Sequence, residues 1–240
     1  MPGPGLLLLH GFTQTGRSWE PVRRRATRYR ALAPDLRGHG ASAARRPVDF
    51  DAVTADLDAL VPDGAVLAGY SMGGRIALRY ALARPGRVAR LVLVGASPGI
   101  ADPAERAARR AADEALADRI EAIGVARFTH EWAALPLFAG QSPGIAALAQ
   151  AERLRQTPAG LAAALRGLGT GAMEPLWDRL AGLSVPVTLV VGERDAKFRA
   201  IAARMAAALP DAELVTVPGA GHAAHLEAPG AVAASLFRDG

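Results

Sequence analysis

Short apolar runs punctuate the chain at residues 6–9, 31–33, 65–68, 91–94, 187–191 and 214–217, and stretches with helical spacing of apolar positions separate most of them. A run that is apolar at every position, such as Leu6 Leu7 Leu8 Leu9 or Leu91 Val92 Leu93 Val94, fits a strand covered on both faces. Strands of that kind alternating with helices predict a parallel sheet with crossover helices, an α/β architecture. Between residues 97 and 184 the alternation stops, and the sequence turns rich in Ala, Arg and Leu with helical spacing and no strand. Asp102, Pro103 and Glu105 supply the cap, first position and capping-box acid of a helix there, with Gly124 as its expected stop. Thr157 and Pro158 start a later helix that Gly167 and Gly169 close. The organisation expected for 240 residues is one domain, with a core at 1–96 and 185–240 and a helical cap, plus its return to the core, at 97–184.

In open parallel sheets functional groups collect beyond the carboxyl ends of the strands, so the residues after each run are where chemistry is sought. The run at 65–68 leads into Gly69 Tyr70 Ser71 Met72 Gly73, and helical spacing follows over 75–83. A GxSxG pentapeptide between strand and helix predicts a nucleophile elbow, whose glycines let two backbones approach and leave the serine Oγ exposed above the sheet. Asp195 follows the run at 187–191, and His222 follows the run at 214–217. Serine, acid, histidine is the chain order of a triad laid on this topology. In it His222 takes the Ser71 proton, while Asp195 fixes the imidazole tautomer and stabilises the imidazolium. Taken singly, a loop aspartate reads as a cap and a lone histidine as a packed side chain; their shared position after strands is what unites them. His10 Gly11 Phe12 follows the first run, so the backbone amides of Phe12 and Met72 are expected to form an oxyanion hole. His10, His39 and His225 are read as structural.

Composition narrows the chemistry further. The chain has no cysteine, which removes disulfides and thiolate ligands, and its five histidines form no HExxH pattern, so neither a metal nor a cofactor is expected. A net charge of +5 invites a nucleic-acid partner, but the arginines are scattered through Ala-rich helices and aromatics make up only 5%, which argues against one. Arg23 Arg24 Arg25 reads as a solvated helix face. The apolar runs are too short for a membrane span. The start Met1 Pro2 Gly3 Pro4 Gly5 lacks the basic segment and long apolar region of a secretory signal, which predicts a cytoplasmic protein. Lys197 is the sole lysine among 28 basic Lys and Arg residues, and a surface position is its ordinary reading.

With these residues in view, the chain resembles the α/β-hydrolase fold throughout, and more narrowly the 2-succinyl-6-hydroxy-2,4-cyclohexadiene-1-carboxylate synthases of menaquinone biosynthesis. The narrow resemblance rests on Gly69 to Arg75 around the serine and on Ser97 Pro98 Gly99 Ile100 with Glu105, Arg106 and Arg109. It extends to Trp132 Ala133 Ala134 Leu135 Pro136 Leu137 Phe138, to the segment 153–171 with its Leu165 Arg166 Gly167 Leu168 Gly169 Thr170 Gly171, and to Gly192 through Phe198. It implies a mostly parallel central sheet flanked by helices with a helical cap inserted in the middle of the chain. It also implies a cofactor-independent lyase that removes pyruvate from a small-molecule tricarboxylate, with Ser71 as the base. Arg75, Arg109 and Arg153 match family arginines that hold carboxylates, and Tyr70 and Trp132 match active-site aromatics. Charge at Arg110, His130 and Glu131, and Arg155 beside Arg153, leaves open which arginine enters the site. The triad itself is equally compatible with an ester or carbon–carbon bond hydrolase, in which Ser71 is a covalent nucleophile. A ligand sensor that keeps the fold is a third reading, which the complete triad argues against.

Overall fold

The computed structural model describes residues 4–237, so Met1, Pro2 and Gly3 of the chain start lie outside the described residues. Each apolar run forms a strand: β1 (Gly5–Leu9), β2 (Arg30–Leu32), β3 (Ala65–Tyr70), β4 (Val88–Val94), β5 (Val187–Gly192) and β6 (Ala212–Val217). They form one sheet in the order β2-β1-β3-β4-β5-β6, with every neighbouring pair parallel. Successive side chains of a strand point to opposite faces. Leu7, Leu9, Leu67, Leu91 and Leu93 therefore join one apolar cluster, and Leu6, Leu8, Val66, Val92 and Val94 join the other. Both faces are covered, which is why the runs show no alternation of polar and apolar residues.

Helices supply the two covers. On the first face lie α2 (Phe50–Leu60), α3 (Met72–Ala83) and α7 (Ala196–Ala208), through Val53, Leu57, Ile76, Leu78, Ala202 and Met205. On the second lie α1 (Glu20–Arg23) and, at the end of the chain, α8 (Ala224–Glu227) and α9 (Pro229–Leu236), through Val22, Leu226, Val232 and Leu236. Arg23 and Arg24 are exposed, both paired to Glu20.

Three further helices, α4 (Pro103–Ala133), α5 (Pro143–Arg153) and α6 (Pro158–Leu168), stand between β4 and β5. Asp102 caps α4 as expected, its Oδ1 accepting from the Glu105 amide at 2.8 Å. Gly124, at φ 76° and ψ 167°, ends the first helical segment as expected, and a second segment follows directly and runs on to Ala133. The second segment continues because Phe128 and Trp132, one turn apart, find apolar partners. Phe128 joins Ala117, Ile120, Leu161, Ala162 and Leu165 in a cluster shared by α4 and α6, with Phe12 and Trp132 at its border. Thr157 caps α6, and Gly169 ends it while Gly167 lies inside. The helix α5, which hydrophobic spacing alone did not single out, starts with the same signal, Ser142 followed by Pro143.

Three histidines are wholly buried in this frame. His10 Nε2 accepts from the Leu36 amide at 2.9 Å, leaving Nδ1 to donate to Gly11 O, so the neutral ring clamps the ends of β1 and β2 together. His225 lies between Trp19 and Tyr70 and bonds Gln14 Oε1 at 3.1 Å. Burial pushes His10 down to about 4, and pushes His39 and His225 down to about 3, with His10 adding to the effect on His39 and His222 to that on His225. The unfolded chain then takes up protons near the ordinary value of 6.5 that the folded chain refuses. Their stabilisation is complete above that value and is lost progressively as pH falls. The midpoint of urea unfolding is expected to drop between pH 7 and about pH 5, above the range where carboxylates titrate. A flat profile over that interval contradicts the neutral, buried state of these rings.

Candidate active site

The turn from β3 into α3 is made in a single residue. Ser71 has φ 50° and ψ −107°, a conformation that costs a side-chain-bearing residue energy, and its amide donates to Val94 O at 2.9 Å. The turn closes because its flanks lack side chains: a Cβ on Gly69 would strike the Gly73 carbonyl, and one on Gly73 would strike the Leu9 carbonyl. Strand, elbow and helix thus leave Oγ at the carboxyl edge of the sheet.

Two other loops meet it there. His222 Nδ1 donates to Asp195 Oδ2 at 2.6 Å, and Ser71 Oγ lies 3.2 Å from His222 Nε2. Asp195 Oδ1 also accepts from the Phe198 amide at 3.3 Å, so α7 fixes the carboxylate from its own first turn. The imidazole is wedged between Phe198 and Tyr70, with ring centroids at 4.4 and 5.2 Å. Asp195 and His222 are both buried, which shields their hydrogen bond from water. With Nδ1 occupied as a donor, Nε2 is left as the acceptor that faces the serine. Such a pair can draw a proton from Oγ.

Ser71 opens into a cavity of about 220 Å³ whose lining includes Phe12, Met72, Arg75, Arg109, Trp132, Lys197 and His222. The Met72 amide stands at the first position of α3, where a helix has no internal acceptor to offer, and no hydrogen bond leaves it or the Phe12 amide among the described residues. A wider surface groove of about 710 Å³ lies apart, beside Glu20, Arg23 and Arg24, and contains none of the strand-end groups.

The cavity is cationic. Arg75, only 8% exposed, donates to Leu168 O at 2.9 Å and has no carboxylate partner among the described residues. Burial, and next the nearby Arg109, push it down to about 10. Arg109 is anchored by Asp113 at 2.7 Å, and Asp113 in turn accepts from the Gly171 amide at 3.3 Å. Asp113 is therefore the residue that aims Arg109, and its sequence signal was only an acid four residues further along a helix.

Tyr70 and Arg153 are placed differently from the other expected contacts: neither lies on the cavity lining. Tyr70 is the last residue of β3, and strand alternation sends its ring into the second apolar cluster, against His225 at 4.1 Å and beneath His222. Arg153 is buried at the end of α5 with its guanidinium 4.6 Å from the Phe138 ring centroid. Arg155 turns outward and pairs with Glu152, so of the two neighbours it is Arg153 that faces inward.

A polar tie that sequence reasoning missed links the histidine loop to its surroundings. Glu227 accepts from the Gly221 amide at 2.8 Å, pairs with Arg194 at 2.7 Å, and receives the Gln141 side-chain amide at 3.3 Å. Arg194 also donates to Gly140 O at 2.7 Å. The peptide before His222, the residue before Asp195 and the segment between α4 and α5 are thereby joined at one carboxylate.

Comparison with known proteins agrees with this architecture. A model of the alpha/beta hydrolase family matches residues 6–235. A Bacillus subtilis (strain 168) protein provisionally named as a 2-succinyl-6-hydroxy-2,4-cyclohexadiene-1-carboxylate synthase is 36% identical over 237 residues, covering 93% of this chain and 85% of that protein. A Klebsiella pneumoniae protein bearing the same synthase name is 35% identical over 240 residues, covering 98% of this chain and 93% of its own. The solved structure of MenH from S. aureus superimposes with a TM-score of 0.93 at 34% identity, covering 99% of this chain and 93% of that one.

Replacing Glu227 by Ala strips Arg194 of its counter-ion and the Gly221 amide of its acceptor. The expected cost is about 1–3 kcal/mol in urea unfolding, in the range for a buried donor left unsatisfied. Unchanged stability would show that these bonds contribute nothing.

Proposed function

The chain belongs to the alpha/beta hydrolase family, and we propose that within it this protein is a lyase of menaquinone biosynthesis. It eliminates pyruvate from 2-succinyl-5-enolpyruvyl-6-hydroxy-3-cyclohexene-1-carboxylate and leaves 2-succinyl-6-hydroxy-2,4-cyclohexadiene-1-carboxylate. The similarity to synthases of that name over nearly the whole chain supports the reaction. The observation that carries it at the level of the site is Arg75, a buried guanidinium that forms no ion pair with a carboxylate among the described residues, in the same cavity as Ser71. A buried cation without a counter-ion is costly, and a substrate with three carboxylates supplies what is missing. The planar fork of arginine suits that role.

In this reading residues 97–184 form a cap that carries Arg109 and Trp132 over a core made of 1–96 and 185–240. Ser71 Oγ gives its proton to His222 Nε2 as it takes the proton from ring C2, beside the succinyl ketone. Asp195 stabilises the imidazolium. The ketone oxygen gains negative charge and is received by the amides of Phe12 and Met72. Electrons then shift through the ring double bond from C2 to C5, the C5–O bond breaks, and enolpyruvate leaves and tautomerises to pyruvate, with the proton held on His222 returned to it. Atoms balance without water, and no covalent enzyme intermediate forms. Tyr70 supports the His222 ring from below, and Arg153 adds positive charge behind the cavity wall. An ester hydrolase could run on the same triad, but a cavity lined by Arg75 and Arg109 is poorly matched to a neutral ester.

Purified protein is expected to release pyruvate from the enolpyruvyl substrate with no metal or nucleotide added, followed by coupled lactate dehydrogenase. Rapid ester hydrolysis without pyruvate release would replace the lyase by a hydrolase. Ser71→Ala is expected to lose at least ~100-fold in kcat, the usual effect of removing a central acid or base. Near-normal turnover in that variant would take Ser71 out of the mechanism.

A further inference from the structure

The cavity is lined by cations from three helices. Arg75 and Arg109 come from α3 and α4 and are tied to the far end of α6 and the residues after it, through Leu168 O and, by way of Asp113, Gly171. Lys197 comes from a different helix, in the first turn of α7, next to the Phe198 ring that packs on His222. It lines the cavity together with Ser71.

Among the described residues nothing balances this lysine. Among the described residues it makes no ion pair or hydrogen bond, and its nearest ring contact is Phe198, 5.9 Å from the ammonium. Asp195, two residues away, has one oxygen committed to His222 and the other to the Phe198 amide. The first turn of a helix is the positive end of its dipole, where a cation is disfavoured, and no acid shares that turn in α7. A flexible ammonium held in an unfavourable field beside an open cavity fits an anion that arrives from outside. The chain uses arginine at every other basic position, which makes the compact, mobile head group here a further peculiarity of this position.

We propose that Lys197 is a substrate-binding residue that holds a second carboxylate, so that the cavity grips a polyanion at two points and discriminates it from a monocarboxylate. This rests on the lyase reading for the identity of the substrate, and on the cavity alone for the class of ligand. Arg75 and Arg109 hold one carboxylate while Lys197 holds another, and the carbon skeleton between them lies at Oγ. The attraction is partly exposed to water and weakens with salt.

The test compares wild-type protein, Lys197→Met and Lys197→Arg. Binding is measured by calorimetry for two probes: an aryl succinyl ketone with one carboxylate, and the same ketone with a second carboxylate on the ring. Wild-type protein is expected to prefer the dicarboxylate by roughly tenfold or more, the scale of one charge-assisted contact. Lys197→Met should abolish most of that preference, and Lys197→Arg should restore much of it. In the pyruvate assay Lys197→Met should raise KM by a similar factor with a much smaller change in kcat. An unchanged preference in Lys197→Met overturns the proposal, as does a defect confined to kcat with KM intact, which would place the lysine with the Asp195 loop instead. Because the binding comparison needs no turnover, its failure is distinguishable from failure of the lyase reading, which pyruvate release by the wild-type protein tests separately.

Discussion

The reversal of β3 into α3 at Ser71 is the constraint on which the site depends. A strand can hand its chain to a helix within one residue only if that residue adopts a positive φ and the backbones on either side come nearly into contact. Gly69 and Gly73 permit the contact, and the hydrogen bond from the Ser71 amide to Val94 O ties the strained residue to the neighbouring strand. The strain is held by a sheet that is apolar on both faces, so relaxing the turn would disturb packing well beyond it. In return Oγ projects at the sheet edge, and the first amide of α3 has no acceptor among the described residues.

Electrostatics around that point are arranged by burial rather than by numbers of charges. Desolvation keeps His10, His39 and His225 neutral, and what distinguishes His222 is a carboxylate at 2.6 Å on one nitrogen and a hydroxyl on the other. Arg75 is pressed into the cavity with the Leu168 carbonyl as its hydrogen-bond partner and no ion pair among the described residues, an energetic cost that the proposed polyanion would remove. The helices between β4 and β5 serve both ends of this arrangement. They bring Arg109 and Trp132 to the cavity, and through Gln141 and Gly140 they reach the Glu227 carboxylate that steadies the peptide before His222. Motion of these helices and the geometry of the proposed base are therefore mechanically linked.

Much of this was legible along the chain because the signals are local. Apolar runs mark strands, and each of the six became one: β1, β3, β4 and β5 are buried on both faces, while β2 and β6 are the sheet's more exposed edges. The elbow motif and the positions of Asp195 and His222 after their strands follow from topology, which places strand ends together whatever lies between. Helix caps at Asp102 and Thr157 are likewise contained in a few residues. Gly124 does end the first segment of α4; what was not legible is the second segment directly after it, because its support comes from Phe128 and Trp132, whose partners are on α6 and in the loop after β1.

The sequence by itself determined the strands and the positions of serine, acid and histidine after them, because periodicity and strand-end position are properties of short segments. Tertiary structure alone decided which charges face the serine. Arg75 and Lys197 reach the cavity, Arg153 is stacked on Phe138 away from its lining, and Asp113 and Glu227 act through groups 58 residues and 33 residues distant. Direction and solvent exposure of a long side chain are fixed by what packs around it, and no local pattern encodes that.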